Sequence, residues 1–363
     1  MSVTEQGLLA ALSSVQDPHT GQDFVSTRAL RNVQIHGGDV AFDVELGYPA
    51  KSLLPELRRS LVAAAKGVAG VENVSVNITT KVVAHAVQRG VQLLAQVKNI
   101  IAVASGKGGV GKSTTAANLA LALAAEGASV GVLDADIYGP SQPMMMGINR
   151  RPESDDGKTM EPLENYGVQV MSIGFLVDQD EAMIWRGPMA TQALEQLLRQ
   201  TNWKDLDYLI IDMPPGTGDI QLTLSQRVPM TGAVIVTTPQ DIALLDAKKG
   251  IKMFEKVGVP ILGIVENMAV HVCSNCGQVE HIFGADGGKK MAADYGMDYL
   301  GALPLDMSIR LQADSGKPTV VADPDGEVAQ IYKKVAREVA VKIARQATDF
   351  SSKFPTISIS KNT

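Results

Sequence analysis

One nine-residue run constrains the fold more than any other feature of the chain. Residues 106–114 read Gly-Lys-Gly-Gly-Val-Gly-Lys-Ser-Thr, which contains the pattern Gly-x4-Gly-Lys-Ser/Thr. Glycines permit positive φ angles, so backbone N–H groups can close around phosphate oxygens. An apolar run precedes the loop and a stretch rich in Ala and Leu follows it, and a helix there would direct its positive end at the same anion. The sequence therefore predicts a phosphate-binding loop between a strand and a helix.

The pattern assigns a role to individual residues of the loop. Lys112 is expected to neutralise the β and γ phosphates of a nucleotide, and Ser113 to offer its hydroxyl to Mg²⁺. The expected nucleotide-binding residues are those of the whole run: Gly106, Lys107, Gly108, Gly109, Val110, Gly111, Lys112, Ser113 and Thr114.

Two aspartates that follow apolar runs extend the predicted site. Asp212 comes directly after the run 209–211, where a P-loop protein places the acid that holds Mg²⁺ through water. Asp136 is the last residue of the segment Asp-Ala-Asp, which directly follows the run 129–133. Either aspartate alone could instead be a helix N-cap. Together with the loop, they predict a site at the carboxyl edge of a sheet, where α/β proteins bind their ligands.

The spacing of apolar residues divides the chain into two patterns. From residue 99 onward, continuous apolar runs at 100–104, 129–133, 208–211, 233–236 and 260–265 alternate with helix-compatible stretches. That alternation predicts an α/β fold, a mostly parallel sheet flanked by helices, with its strands buried on both faces.

The first 80 residues differ, because strands there alternate between apolar and polar residues. Residues 40–46 and 74–78 follow this period of two, and Leu54, Leu57 and Leu61 recur at helical spacing between them. We expect a small α+β domain over 1–80, a linker over 81–98, the P-loop domain with the cysteine pair over 99–350, and a polar tail over 351–363.

Composition and charge exclude several classes of partner. The chain of 363 residues carries a net charge of −6, so no general basic field attracts nucleic acid. Its apolar runs are shorter than the ~20 residues needed to cross a bilayer. The first twenty residues lack the basic and apolar regions of a secretory signal. With only two cysteines, the chain has no disulfide framework, and the cytoplasm is the expected compartment.

The two cysteines form the second main clue, as Cys273-Ser-Asn-Cys276 followed by Gly277. This spacing places two thiolates on one turn, and Gly277 permits a tight turn whose N–H groups point at sulfur. A tetrathiolate site needs four sulfurs. One chain cannot supply them, whereas two copies related by a two-fold axis can.

Three other interpretations of the pair remain open. His271 or His281 could join the cysteines around a structural zinc ion. The pair could be a redox dithiol, although no thioredoxin-like helix start accompanies it. The two thiols could also be inert.

The residue after the first glycine makes the loop similar to that of a known class of P-loop protein. With Lys107 in that position, the run resembles the deviant Walker A of the MinD/ParA/NifH class, the SIMIBI type of P-loop NTPase. Further motifs resemble the Mrp (ApbC) family of iron–sulfur cluster carrier ATPases. These motifs are Asp134-Ala-Asp-Ile-Tyr-Gly-Pro-Ser141, Asp212-Met-Pro-Pro-Gly-Thr-Gly-Asp219, Trp185-Arg-Gly-Pro-Met189, Thr238-Pro-Gln-Asp241, Val265-Glu-Asn-Met268 and the cysteine pair.

The resemblance implies functions for residues that the pattern alone does not assign. Lys107 is implied to reach the phosphates of a partner subunit, Asp136 to position or activate the attacking water, and Asn267 to contact adenine. Residues 1–80 resemble the small iron–sulfur-assembly domain often fused ahead of this family, with Asp17-Pro18 as the best-matching dipeptide. That domain often carries a reactive cysteine, and this chain has none before Cys273.

The resulting hypothesis is a homodimeric ATPase that hydrolyses ATP slowly with Mg²⁺. It would hold a labile 4Fe–4S cluster between two copies of Cys273 and Cys276 and transfer it to apo-proteins. Neither nucleic acid nor membrane is an expected partner. The alternatives are a ParA/MinD-like spatial organiser, a zinc-stabilised P-loop ATPase without cluster transfer, and an electron-transfer ATPase like the nitrogenase iron protein.

Overall fold

The computed structural model describes residues 3–88, 90–177 and 187–347. Two of the sequence predictions therefore fall outside the described residues in whole or in part. These are the motif at 185–189, of which only the last three residues are described, and the polar tail over 351–363.

The N-terminal region contains a three-stranded sheet within residues 30–80. Its elements in chain order are α1 (Glu5–Leu12), β1 (Leu30–His36), β2 (Asp39–Leu46), a 3-10 helix (Lys51–Leu53), α2 (Leu54–Lys66) and β3 (Asn73–Thr80). β2 is the central strand, antiparallel to β1 and parallel to β3. The buried side chains of β2 alternate as its sequence predicts, and Leu57 and Leu61 of α2 are buried. The predicted α+β character of this region is confirmed.

A larger sheet follows, built from nine strands within the described residues. The strands are β4 (Val97–Ala104), β5 (Val130–Asp134), β6 (Leu163–Asn165), β7 (Val168–Ser172), β8 (Leu206–Asp212), β9 (Gly232–Thr237), β10 (Ile261–Val272), β11 (Val279–Glu280) and β12 (Tyr299–Pro304). Their order is β11-β10-β9-β4-β8-β5-β7-β6, with β12 paired to β10. Only the β6–β7 and β10–β11 pairings among them are antiparallel. The predicted mostly parallel sheet is confirmed.

Helices connect these strands and cover the sheet. They are α3 (Lys112–Ala125), α4 (Gln142–Met145), a 3-10 helix (Ile173–Phe175), α5 (Gly187–Gln200), α6 (Asp219–Arg227), α7 (Asp241–Lys256), α8 (Gly287–Asp294), α9 (Met307–Asp314), α10 (Thr319–Ala322) and α11 (Glu327–Ala344). α3 is apolar over most of its surface, because it packs between the sheet and α11. Gly127 follows the end of α3 and has the positive φ that commonly terminates a helix.

Two boundaries differ from the sequence predictions. β4 begins at Val97, three residues before the apolar run 100–104, and β10 continues seven residues past Val265 to Val272. The second difference arises because the last part of β10 pairs with β11 as a hairpin, and polar residues there interrupt the apolar run.

Residues 81–88, predicted as part of a linker, lie against the larger sheet. The Nε2 atom of Gln88 donates to the carbonyls of Ser225 and Val228, at 3.0 and 2.8 Å. His85 is buried, with its Nδ1 atom 3.0 Å from Oδ1 of Asn99 on β4. The division of the chain at residues 80 and 98 stays a prediction, although these contacts attach the segment to the P-loop region.

Candidate functional site

The loop over 106–114 connects the central strand β4 to α3. Gly109 and Gly111 both adopt a φ of +82°, the left-handed conformation that the sequence predicts for glycines here. At Gly106 the requirement is steric, because an added Cβ would lie 2.1 Å from the backbone carbonyl of Asp246 on α7. Lys107 is exposed at the tip of the loop.

Lys112, Ser113 and Asp212 come together as predicted. Lys112 is the first residue of α3, and its ammonium forms a buried ion pair with Asp212 at the end of β8. The same ammonium lies 3.0 Å from the hydroxyl oxygen of Ser113. The side chain of Asp212 has no solvent-accessible surface and that of Lys112 only 6%. The carboxylate and hydroxyl that Mg²⁺ would use therefore lie beside the lysine that phosphate would attract.

The segment after β5 is attached to the site through Asp134. This fully buried carboxylate accepts hydrogen bonds from the backbone N–H groups of Ser141 and Gln142, each at 3.0 Å, and from the hydroxyl of Ser172 at 3.1 Å. Burial, and then the negative charge of Asp212, raise the pKa of Asp134 to about 7. Asp134 thus anchors the start of α4 to the end of the sheet.

Asp136 lies on the same segment and is half-buried. Its Oδ1 atom accepts from the N–H of Gly139 at 3.3 Å. Burial raises the pKa of this carboxyl group, and the positive charge of Lys112 opposes that rise. A carboxylate with a raised pKa near Lys112 has the character of a group that accepts a proton from water, and its catalytic role stays a prediction.

Gln142 was missed in the sequence analysis, although it directly follows the Asp134–Ser141 motif. Its side chain is fully buried, and its Nε2 atom donates to Oδ2 of Asp212 at 2.9 Å and to the carbonyl of Ser113 at 3.1 Å. Its Oε1 atom has no hydrogen-bond partner among the described residues. An orphaned buried oxygen, on a side chain that contacts the Asp212 carboxylate and the backbone of Ser113, fits a site for hydrated Mg²⁺.

Asn267, on β10, touches the phosphate loop. Its Nδ2 atom donates to the carbonyl of Val110 at 2.9 Å, and a Cβ on Gly111 would approach that nitrogen to 2.1 Å. The next residue, Met268, has a φ of +56°, and the pairing of β10 with β12 shifts register there. Contact with the loop is thus established for Asn267, whereas its contact with adenine stays a prediction.

The cysteine pair lies in the turn that joins β10 to β11. The N–H of Cys273 donates to the carbonyl of Gln278 at 2.9 Å, and the N–H of Gly277 donates to the carbonyl of Cys273 at 2.8 Å. Gly277 has a φ of +73°, as the sequence predicted. Both thiols are free, and that of Cys276 is exposed.

The turn stabilises the thiolate form of the first cysteine. Hydrogen bonds from the backbone N–H groups of Asn275 and then Cys276 lower the pKa of Cys273. Because the thiolate is the form that binds metal, these N–H groups favour a metal ligand at this position.

The two histidines proposed for a zinc site each contact a backbone carbonyl through one ring nitrogen. The Nδ1 atoms of His271 and His281 lie 3.0 Å from the carbonyls of Leu305 and Ala269, respectively. Over residues 3–88, 90–177 and 187–347, no three His, Cys, Asp or Glu side chains are grouped in a way that could hold a metal ion. Within these residues the cysteine pair therefore has no third His, Cys, Asp or Glu side chain grouped with it, and its sharing between two chains stays a prediction.

α11 packs against α3 and β12, and its residues Val335, Val339 and Ile343 are buried in the core. None of the helices in the described part is long and apolar enough to cross a bilayer.

Two protein-family models match the chain. The model described as NUBPL iron-transfer P-loop NTPase matches residues 96–340, and the model described as iron–sulfur cluster assembly protein matches residues 5–78. The first match covers the nine-stranded sheet, and the second falls on the three-stranded sheet of the N-terminal region.

Curated relatives match most of the chain. An iron–sulfur cluster carrier protein of Escherichia coli K12 is 51% identical over 92% of this chain and 90% of its own length. One of Pseudomonas fragi is 62% identical over 74% of this chain and 94% of its own. The iron–sulfur cluster transfer protein NUBPL of Mus musculus is 55% identical over 68% of this chain and 78% of its own length.

Solved structures share the fold of the larger sheet. A nucleotide-binding protein of Archaeoglobus fulgidus in complex with ADP is 37% identical, with a TM-score of 0.57 over 65% of this chain and 93% of that one. The cell division ATPase MinD of Pyrococcus furiosus has a TM-score of 0.50 at 23% identity, over 66% of this chain and 98% of its own, and so shows the fold alone. Together with the loop, the aspartates and the cysteine turn, these matches show that the chain belongs to the NUBPL-type iron-transfer P-loop NTPase family.

Proposed function

We propose that the chain is an ATP-dependent carrier that binds an iron–sulfur cluster and transfers it to apo-proteins. The observation that carries the proposal is β10, which contacts the phosphate loop through Asn267 and ends at the exposed turn with Cys273 and Cys276. One strand therefore links a nucleotide site to a pair of metal-binding thiols. The names of the relatives support the same function.

The cargo is proposed to be a 4Fe–4S cluster held between two copies of the chain. Such a cluster takes four thiolates, and each chain supplies two from one exposed turn. A two-fold axis near Cys276 brings the pairs together. Because the cluster would lie at an interface, a change in dimer geometry would alter how firmly it is held. The free thiols fit a reducing compartment, and we propose the cytoplasm.

The nucleotide is proposed to be ATP, hydrolysed slowly. Lys112 is paired with Asp212, and a triphosphate in the loop would attract its ammonium away from that carboxylate. Ser113 and Asp212 would then hold Mg²⁺, which supplies positive charge against the β and γ phosphates. Lys107 is exposed and would reach the phosphates bound by the partner subunit, so that hydrolysis requires a dimer. Asp136 would orient the attacking water.

The proposal is tested by anaerobic reconstitution with iron and sulfide. We expect the wild-type protein to gain about four irons and four sulfides per two chains and to restore an apo-protein that has an empty four-cysteine site. A Cys273→Ala/Cys276→Ala variant is expected to lose both properties while still binding nucleotide.

A His271→Ala/His281→Ala variant is the matched control, because it changes two ligand-type side chains near the same turn. Under the proposal it retains cluster binding and transfer. Cluster transfer by the double cysteine variant, or stoichiometric zinc that depends on the histidines, would contradict the proposal.

A further inference from the structure

Gln142 is a fully buried side chain for which the mechanism above has no role. It lies at the start of α4, and its backbone N–H donates to Asp134. Its side-chain nitrogen joins two other elements of the site, since it donates to Asp212 at the end of β8 and to the carbonyl of Ser113 on α3. This single residue thus connects three segments that surround the expected position of Mg²⁺.

The orientation of the Gln142 amide is fixed by its surroundings. Both N–H bonds of its Nε2 atom have acceptors, the carboxylate of Asp212 and the carbonyl of Ser113. A flipped amide would place Oε1 against these two acceptors and lose both hydrogen bonds. The oxygen is therefore fixed on the side of the amide that faces neither acceptor, buried, with no partner among the described residues. Leaving such an oxygen without a donor is costly unless a ligand or water satisfies it.

The two oxygens of Asp212 have different partners. Oδ1 faces the ammonium of Lys112, and Oδ2 accepts from Gln142. Only the first partner is a cation that nucleotide phosphates would attract. The amide carries no net charge and is anchored to the backbone of α3, so it can stay in place when the cation beside Oδ1 is exchanged.

We propose that Gln142 is a positioning residue for Mg²⁺ binding. It holds Oδ2 of Asp212 so that Oδ1 faces the metal site, and its Oε1 atom accepts a hydrogen bond from a metal-bound water. The inference rests on the proposed nucleotide site, and it is independent of the cysteines and of cluster transfer.

The test is the Mg²⁺ dependence of ADP binding, because ADP avoids turnover. ADP affinity is measured by calorimetry in EDTA and then over a Mg²⁺ titration. Gln142→Met is nearly isosteric and removes the amide. Since a hydrogen bond to a charged group contributes more than one to a neutral group, we expect the Mg²⁺ concentration for half-maximal enhancement to rise about tenfold or more. ADP affinity in EDTA is expected to stay unchanged.

Gln88→Met is the matched control. The Nε2 atom of Gln88 also donates to two acceptors, and its Oε1 atom is also buried without a partner among the described residues, but these contacts are with Ser225 and Val228. This variant is expected to keep the wild-type Mg²⁺ dependence. Equal Mg²⁺ dependence of Gln142→Met and wild type, or an equal shift in both variants, would overturn the inference.

A second variant covers the case in which Gln142→Met does not fold. Gln142→Glu keeps the shape of the side chain and places a carboxylate against Asp212. Its melting temperature is expected to fall in EDTA and to recover with Mg²⁺, because the metal relieves the repulsion between like charges. A melting temperature of Gln142→Glu that does not change when Mg²⁺ is added would count against the inference. Failure of the wild-type protein to bind ADP at all would instead refute the nucleotide site of the proposed function.

Discussion

Asp134 is a carboxyl group that the protein buries completely at the end of β5. Four donors orient it, the backbone N–H groups of Asp136, Ser141 and Gln142 and the hydroxyl of Ser172, yet burial raises its pKa to about 7, against 3.8 for an ordinary aspartate. The native state therefore retains a proton on Asp134 at pH values where the unfolded chain has lost it.

This difference predicts the direction of a pH effect on stability. Between about pH 4 and pH 7 the native state binds more protons than the unfolded state, so the free energy of unfolding from this group falls as pH rises. We expect the nucleotide-free wild-type protein to lose stability over this range more steeply than Asp134→Asn, which cannot titrate. Denaturant unfolding at several pH values gives the slope of the free energy of unfolding against pH for each protein. Equal slopes for wild type and Asp134→Asn would show that Asp134 is already ionised in the native protein at low pH.

The site residues that the structure brings together as the sequence predicts are those whose position depends on local chain geometry. Lys112 and Ser113 begin the helix after the loop, and Asp212 ends an apolar run, so the position of each could be predicted from the residues next to it in the sequence. Gln142 was not, because its role depends on contacts with Ser113 and Asp212. Those residues lie far from it in sequence, and a single glutamine carries no pattern that reports such contacts.

The phosphate loop and α7 pack so closely that one glycine cannot be replaced. Gly106→Ala would place a Cβ 2.1 Å from the backbone carbonyl of Asp246, and backbone atoms of a helix cannot move aside as a flexible side chain can. We expect a loss of about 3 kcal/mol in the free energy of unfolding, at the upper end of the usual cost of overpacking. Urea denaturation measures it.

Gly108→Ala is the control in the same loop. The nearest atom to its added Cβ is Cβ of Pro215 at 3.8 Å, an ordinary van der Waals contact. This variant is expected to stay within about 0.5 kcal/mol of wild type. If the two variants were equally stable, the contact between the loop and α7 would not be as rigid as the structure indicates.

Among the strands, those buried on both faces were the most readily predicted. β4, β5, β8 and β9 each contain a continuous apolar run, and a run of that kind is typical of a strand in the interior of a parallel sheet. The last part of β10 and the short β11 were missed, since polar residues alternate irregularly there. Their pairing depends on the hairpin around Cys273 and Gly277 rather than on local hydrophobicity.

The N-terminal region is held to the rest of the molecule through a buried carboxylate. Glu126, at the C-terminal end of α3, accepts from the N–H and hydroxyl of Ser52, at 2.9 and 2.7 Å, and from Arg337 on α11 at 2.6 Å. The guanidinium of Arg345 on the chain after α11 donates to the carbonyl of Thr20 at 2.6 Å. The small sheet is thus anchored at the end of α3 that lies farthest from the phosphate loop.

Arg337→Ala is expected to weaken this anchor strongly. The side chain of Glu126 has no solvent-accessible surface, so it would keep a buried charge without its cationic partner. Such a change costs about 3 kcal/mol or more. We expect a lower melting temperature and faster hydrogen–deuterium exchange in β1, β2 and β3.

Lys334→Ala provides the comparison, because Lys334 lies on the same helix and is exposed. It is expected to leave the melting temperature and the exchange of the small sheet unchanged. Similar exchange rates in the two variants would mean that other contacts, such as that of His19 with Glu338, hold the region in place.

The left-handed conformation of Met268 has a mechanical consequence for the molecule. This residue lies between Asn267, which touches the phosphate loop, and the turn that holds the cysteines. A side chain in that conformation costs about 1–3 kcal/mol and persists only where the surroundings enforce it. The surroundings of Met268 therefore hold β10 in one conformation at this residue, and we expect a displacement at the loop end of the strand to move the turn that carries the thiols.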